Sequence, residues 1–166
     1  MELTQDYLRS LFLYSEDGVL VWNKRKANFL NEGQVAGFIN KKFKRRVIRI
    51  DGVNYLGARL IFCFHHGYFP EIVDHKDRDT TNDKIENLRA ATAQENTTNR
   101  TSHKNSTSQY LGVCYTKSRN RWQAYISINR KVVRLGYFKT EAEAVVARNK
   151  ASALHHGEFA NINIIK

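Results

Sequence analysis

The segment from Val73 to Asn96 is dense in side chains that can bind a metal ion or move a proton. It contains Asp74 next to His75, then Asn87, and finally Asn96. Neutral histidine, with a reference pKa of about 6.5, can accept a proton from water near neutral pH. Carboxylate and amide oxygens are the ligands that hard cations such as Mg²⁺ prefer. Together these residue types suit phosphodiester hydrolysis, which needs a deprotonated water and neutralisation of the phosphate charge.

In order and spacing, these residues resemble the HNH motif of phage and intron homing endonucleases, in which a DH pair precedes an NL pair and a final His or Asn. By this resemblance, His75 is the general base, while Asp74 and Asn96 ligate a divalent cation. Asn87 braces the loop that aims the imidazole. The implied ion is magnesium, with manganese as the alternative. The implied activity is metal-dependent hydrolysis of DNA.

Members of that family fold the motif as two strands and a helix around the metal. In this chain the resemblance implies a strand that ends at His75, a loop, a strand near residues 88–91 and a helix from about Ala93. The loop also holds Asp77, Asp79 and Asp83. Aspartates in such loops more often cap turns than bind metal, and we expect that role for these three.

Two positions depart from the family pattern. Asn96 stands where many relatives have a histidine, which disfavours zinc at this site. Upstream, relatives often read A-H-R-L-A-W where this chain has the segment Gly57–Phe62, so that Ala58 replaces a histidine. If that histidine supports the catalytic strand or the phosphate, the enzyme is slow or uses another group. Arg59 is retained, and we expect it to contact a DNA phosphate.

The residues before the motif predict a small mixed fold. Thr4 can cap a helix over residues 5–14, and residues 19–22 suggest a short strand. Asp51 and Gly52 separate two apolar runs, residues 47–50 and 53–56, which predicts a tight hairpin. An apolar stretch over residues 58–65 is compatible with a helix.

After the motif, three segments alternate apolar and polar residues, which predicts three antiparallel strands over residues 112–115, 122–128 and 132–138. A helix over residues 141–155 should follow. On the strands, the pattern predicts that Val133 and Leu135 point inward. The apolar face predicted for the helix consists of Ala144, Ala147, Ala151 and Leu154.

Within this region, Tyr110–Val113, Trp122–Ile126 and Arg134–Thr140 resemble the DNA-binding domain of plant ethylene-response factors, the Apetala type. The resemblance implies a sheet that lies in the major groove and a helix that packs behind it. The plant arginines at positions 111, 114 and 116 are absent here, so sequence preference does not carry over. The outward residues expected to reach base edges are Arg121, Gln123, Tyr125 and Arg134. The turn residues expected to contact phosphates are Lys117, Arg119, Arg130 and Lys131.

Charge is distributed unevenly along the chain. Of the 27 Lys and Arg and the 16 Asp and Glu residues, 15 and 13 lie in residues 1–97, whereas 12 and 3 lie in residues 98–166. The corresponding net charges are +2 and +9, which sum to the +11 of the whole chain. A polyanion, and most simply double-stranded DNA, is the partner that this charge favours.

The sequence therefore predicts an α+β protein: a ββα-metal (HNH) nuclease domain followed by a three-stranded antiparallel sheet packed on one helix. The predicted boundaries are residues 1–97 for the nuclease domain (core motif about 72–97), 98–109 for a linker and 110–166 for the sheet-based DNA-binding domain. The two cysteines, at positions 63 and 114, support no zinc ribbon. No apolar run is long enough to span a membrane, and the start lacks a signal peptide, so we expect a cytoplasmic protein. It would act as a monomer or a homodimer.

Two other interpretations remain open at this point. A non-catalytic DNA-binding regulator would use a degenerate nuclease fold as a second clamp; Ala58 favours this, and the retained Asp74, His75, Asn87 and Asn96 oppose it. An RNA-binding protein is less favoured, because the sequence has no aromatic-rich RNA-binding signature.

Overall fold

The computed structural model describes residues 3–24, 31–98 and 106–165. The chain divides into two compact units, Met1–Ala91 and Thr92–Lys166. Most of the predicted linker, residues 98–109, lies outside the described residues. Both units mix helices and strands, in agreement with the predicted α+β class. Within the described ranges, no helix combines the length and apolar character that crossing a membrane requires.

The described residues of the first unit form two α-helices and three small antiparallel sheets. The sheets are a β1–β2 pair, a three-stranded sheet in the order β3-β4-β5, and a β6–β7 pair. A short 3₁₀ helix, Ile85–Asn87, precedes the last strand. The elements are α1 (Gln5–Leu11), β1 (Phe12–Tyr14), β2 (Leu20–Trp22), β3 (Phe38–Asn40), β4 (Arg45–Ile50), β5 (Val53–Leu56), α2 (Gly57–His66), β6 (Ile72–His75) and β7 (Leu88–Ala91).

The core of the first unit forms around α2, whose apolar face is buried against α1, β2 and β4. The β4–β5 hairpin turns at Asp51 and Gly52, whose φ values are +48° and +84°. Two consecutive positive φ values are the signature of a type I′ turn, so the predicted hairpin is confirmed. α2 covers the apolar stretch predicted to be helical, and it is capped by Gly67, which adopts the left-handed conformation (φ +81°) and donates its N–H to the carbonyl of Cys63.

The first helix is shorter than predicted. Thr4 caps it, its side chain accepting from the N–H of Tyr7, but the helix ends at Leu11. The next three residues form β1, which pairs with β2 and places the rings of Phe12 and Trp22 4.6 Å apart. Pairing with β2 buries Phe12 completely and therefore overrides the helical spacing of the apolar residues.

The second unit is a three-stranded antiparallel sheet, in the order β10-β9-β8, packed on α4. The side chain of Thr140 and that of Glu143 form a capping box at the start of α4. The core holds Val113, Ala124 and Val145. The elements are α3 (Ala93–Thr98), β8 (Val113–Thr116), β9 (Arg121–Ile128), β10 (Lys131–Phe138) and α4 (Glu141–His156), with short 3₁₀ helices at Lys117–Arg119 and Gly157–Phe159.

Two details of packing differ from the sequence prediction. The buried stripe of α4 consists of Ala144, Val145, Arg148 and Ser152, whereas Leu154 is 79% exposed. Arg148 lies in the core and donates to the backbone carbonyl of Asn161, which fastens the C-terminal segment to the helix. On β10, Val133 pairs with the buried Ile126 and so lies on the predicted inner face, yet it is 40% exposed; the register shifts further along, between Arg134 and Gly136.

Candidate active site and nucleic-acid interface

The predicted general base, His75, and the predicted metal ligand next to it, Asp74, lie at the end of a buried hairpin strand. In the β6–β7 ladder, Asp74 is opposite Arg89 and His75 is opposite Leu88. Asp74 and His75 are each only 6% exposed. This arrangement follows from the apolar residues Ile72 and Val73, which pair with the small alanines of β7 and carry the polar pair to the end of the strand. The predicted strand, loop and strand are present at the predicted positions.

His75 is held by a carboxylate. Its Nε2 lies 2.8 Å from Oδ1 of Asp83, which is only 3% exposed. Because a carboxylate only accepts, Nε2 carries the hydrogen in this contact, and Nδ1 of the neutral ring then carries the lone pair. A buried imidazole with this tautomer can accept a proton at Nδ1.

Asp83 is a functional candidate that sequence reasoning missed. Its position in the loop predicts a turn-capping aspartate, yet its carboxylate lies in the interior against His75, eight residues away. Its Oδ2 is also close to Gly57, where an added Cβ would lie 3.1 Å from it. The only sequence signal was an aspartate within the motif loop, and such aspartates usually cap turns.

Asn87 connects the two ends of the motif loop. Its Nδ2 donates to Oδ1 of Asp77 (2.9 Å) and to the carbonyl of Asn82 (2.8 Å), and its Oδ1 accepts from the N–H of Asp77 (3.0 Å). Asn82 adds a 2.7 Å hydrogen bond to Oδ2 of Asp77. Desolvation would raise the pKa of Asp77, but the hydrogen bonds from Asn82, the Asp79 backbone and Asn87 lower it overall. The loop after His75 is therefore fastened at both ends.

Asp74 is the candidate metal ligand in the first unit. Its Oδ2 accepts hydrogen bonds from Nε and Nη2 of Arg89, at 2.8 and 2.7 Å. Arg89 therefore neutralises the carboxylate that was predicted to bind a divalent metal ion. The other predicted ligand, Asn96, lies on α3 in the second unit and is partly buried. Among the described residues, no group of three or more His, Cys, Asp or Glu side chains is arranged to hold a metal ion.

A cavity of about 160 Å³ lies beside His75. Its other polar lining includes Asp83, Thr80 and Glu71, and its apolar lining includes Ala58. Three arginines also line it: Arg45, Arg46 and Arg59. Of these, the sequence analysis selected only the last, whose Nη1 donates to the carbonyl of Glu71 at 3.0 Å. The site is thus a basic cavity with an imidazole in its wall.

The second unit brings the predicted DNA-contacting residues of the sheet onto one face. Cross-strand pairing places Arg134 opposite Tyr125 and Gln123 opposite both Cys114 and Tyr137. Arg134 and Arg121 are exposed, whereas Gln123 and Tyr125 are partly buried. The turn residues are all exposed: Lys117, Arg119, Arg130 and Lys131.

Tyr137 is a further member of this face that the sequence analysis did not select. The guanidinium carbons of Arg119 and Arg134 lie 4.7 and 5.6 Å from the centre of its ring. The register shift after Arg134 turns Tyr137 to the side occupied by Gln123. Simple alternation along β10 could not predict this, because a bulge reverses which residues point outward.

Comparison with known proteins identifies part of this chain. A family model described as HNH endonuclease matches residues 57–98. The matched segment contains the four motif residues and ends before the three-stranded sheet of the second unit. No curated protein and no solved structure matches the chain. The HNH domain indicates a nuclease that acts on DNA, and the Apetala-type resemblance stays a prediction.

Proposed function

We propose that this chain is a metal-dependent endonuclease of the homing type, which hydrolyses phosphodiester bonds in duplex DNA. One observation carries the proposal: His75, which lies in the segment that matches HNH endonucleases, is buried, is held by Asp83 and forms part of the wall of an arginine-lined cavity. A nucleophilic water and a phosphate both need to reach such an imidazole, and the cavity provides the space.

The chemistry assigned to His75 follows from its hydrogen bond. With Nε2 donating to Asp83, Nδ1 accepts the proton of the attacking water. The ring then becomes a cation, which the Asp83 carboxylate stabilises, and the carboxylate also keeps the ring from rotating. Asn87 acts at a distance by fixing the loop that follows the strand. Asp83 and Asn87 are therefore positioning residues, and His75 is the catalytic residue.

HNH nucleases generally use a divalent metal ion. When bound, such an ion neutralises charge on the scissile phosphate and stabilises the leaving 3′ oxygen. The Asp74 carboxylate is a hard oxygen donor of the kind that such an ion prefers, although its Oδ2 is paired with the guanidinium of Arg89 in this structure. Asp74 would hold a magnesium or manganese ion, and Asn96 remains the second ligand that the sequence predicts.

The second unit supplies the binding surface in this proposal. Its sheet face presents Arg121 and Arg134 with Gln123 and Tyr125, side chains that can read base edges in the major groove. Lys117, Arg119, Arg130 and Lys131 surround this face and suit phosphate contacts. One HNH motif per chain cuts one strand at a time, so a monomer should nick duplex DNA.

Cleavage of supercoiled plasmid tests the proposal. Because the target sequence is unknown, a plasmid pool with random inserts is incubated with Mg²⁺, and nicks are mapped by sequencing. We expect open circles with the natural chain and none with His75→Ala, since the general base contributes roughly 10²- to 10⁴-fold to the rate. Exposed His155 on α4 provides a matched control, and His155→Ala should cut normally.

A non-catalytic regulator is the second candidate, and Ala58 in the cavity wall favours it. If the natural chain and His75→Ala bind DNA equally and neither cuts any member of the pool, the regulator is correct and the nuclease assignment is wrong.

A further inference from the structure

A strongly basic turn precedes β4. It contains Lys41, Lys42 and Lys44 and leads directly into Arg45 and Arg46, all outside the segment that matches the HNH model. The side chain of Asn40 closes this turn by accepting from the backbone N–H groups of residues 42 and 43, at 3.0 and 3.2 Å. Lys44 completes it with a left-handed φ of +50° and donates its N–H to the Asn40 carbonyl.

The turn is attached to the loop that carries the catalytic motif. The hydroxyl of Thr80 donates to the backbone carbonyl of Lys44 at 2.7 Å. The stem of Arg46 packs against Gly57, where an added Cβ would lie 3.0 Å from the Arg46 Cβ. Its Nη1 donates to the carbonyl of Ala36 at 3.3 Å. These contacts hold the start of β4 beside His75.

The cavity next to His75 has the charge and dimensions of an anion site. Arg45, Arg46 and Arg59 all line it, and of its two acidic residues, Asp83 is engaged with the imidazole while Glu71 is on the exposed surface. The N-terminal end of α2 also borders the cavity, has no acidic residue in its first turn, and adds a partial positive charge. At about 160 Å³, the space can admit a phosphodiester group.

We infer that Arg45 and Arg46 bind a backbone phosphate of the DNA strand in this cavity, directly beside His75. The small side chain of Ala58 contributes to the space, and the two arginines supply cationic groups to the cavity wall. This inference rests on the proposed function for its choice of DNA as the phosphate source. Guanidinium groups suit the role because they bind phosphate oxygens in a bidentate manner.

The salt dependence of DNA binding tests the inference without requiring cleavage. Each variant is made in a His75→Ala background, and its affinity for a fluorescently labelled duplex DNA is measured by anisotropy over a series of KCl concentrations. Loss of one phosphate contact should reduce the slope of log K against log salt by about 1. We expect that reduction for Arg45→Ala and for Arg46→Gln. Arg46→Gln keeps the stem that packs on Gly57, so the fold should be retained.

Arg49→Ala is the matched control, because this arginine is exposed on the same strand and does not line the cavity. Its slope should equal that of the parent. Unchanged slopes for both cavity variants, with native circular dichroism, would overturn the inference while leaving the nuclease proposal intact. Equal reductions in all three variants would also overturn it, because they would reflect general surface charge. Reduced slopes for the cavity variants alone, in a chain that never cuts DNA, would support the phosphate site and reject the nuclease proposal.

Discussion

At the level of single residues, the contact between His75 and Asp83 matters most for the proposed chemistry. Both side chains are almost fully buried, and an unpaired polar group in such a position would be costly. The pairing gives the imidazole one orientation and one tautomer.

Replacing Asp83 by Asn tests this role. The asparagine amide keeps the shape of the carboxylate, but it carries no charge and cannot stabilise the imidazolium of His75. Its NH₂ group can also donate to Nε2 and so favour the other tautomer of the histidine. We expect the single-turnover cleavage rate to fall by about 10²-fold or more, with little change in the dissociation constant for DNA. Asp79→Asn makes the same charge change in an exposed part of the loop and should cut at a near-normal rate. An equal loss in both variants would show that Asp83 only preserves the loop.

The residues of the site were predictable to different degrees. Asp74, His75 and Asn87 were predicted from the resemblance to the HNH motif, and the structure places Asp74 and His75 at the end of β6 and Asn87 directly before β7. Asp83 and Arg89 could not be assigned partners, because these contacts depend on how the loop folds back and on strand register. Arg45 and Arg46 were visible only as positive charge, since their proximity to His75 requires the packing of β4 against α2.

At the level of elements, most strands and helices followed from apolar periodicity and turn residues. The Asp51-Gly52 hairpin lies where its turn residues placed it, and both strands of the motif lie where the resemblance to HNH endonucleases implied them. Errors arose where tertiary pairing competed with local pattern. β1 replaced the predicted last turn of α1, and a bulge in β10 placed Tyr137 on the side of Gln123. Neither the sheet partner of a short apolar segment nor the position of a bulge is encoded locally.

The packed face of α4 was also predicted incorrectly, because Arg148 is buried. Its exposed fraction is 3%, and burial lowers the pKa of its guanidinium. Next to it, Gly112 has a φ of +74°, and a Cβ there would lie 2.4 Å from the carbonyl oxygen of Tyr125 and 3.1 Å from Arg148 Cγ. The arginine thus fills the space that an apolar residue was expected to fill, and it binds the C-terminal segment through Asn161.

We therefore expect Arg148→Ala to destabilise the second unit by about 2 kcal/mol, since it leaves a cavity and removes a hydrogen bond to a buried carbonyl. Urea unfolding followed by circular dichroism measures this. Lys150→Ala, at an exposed position on the same helix, should change the free energy of unfolding by less than about 0.5 kcal/mol. Equal stability of the two variants would contradict a structural role for Arg148.

At the level of the whole molecule, charge and chemistry are divided between different parts of the chain. The imidazole and the arginine-lined cavity lie in the first unit, whereas residues 98–166 carry a net charge of +9. This division implies that affinity for DNA and the rate of the chemical step can be changed separately. Contacts that are equally strong in the ground state and the transition state affect binding without affecting the chemical step.

The double substitution Arg121→Ala with Arg134→Ala tests that separation on the sheet face of the second unit. Both arginines are exposed, so their loss should not unfold the sheet. We expect weaker DNA binding and a slope of log K against log salt reduced by about 1 for each contact that is lost to a phosphate. At saturating DNA, the single-turnover rate should remain within about threefold of that of the natural chain. A threefold change corresponds to less than about 1 kcal/mol in activation free energy. Lys150→Ala removes a charge from α4 and should leave the DNA affinity and the single-turnover rate unchanged.

If instead the double variant binds normally but cuts slowly, the sheet face contributes to the chemical step, and the proposed division between binding and catalysis is incorrect.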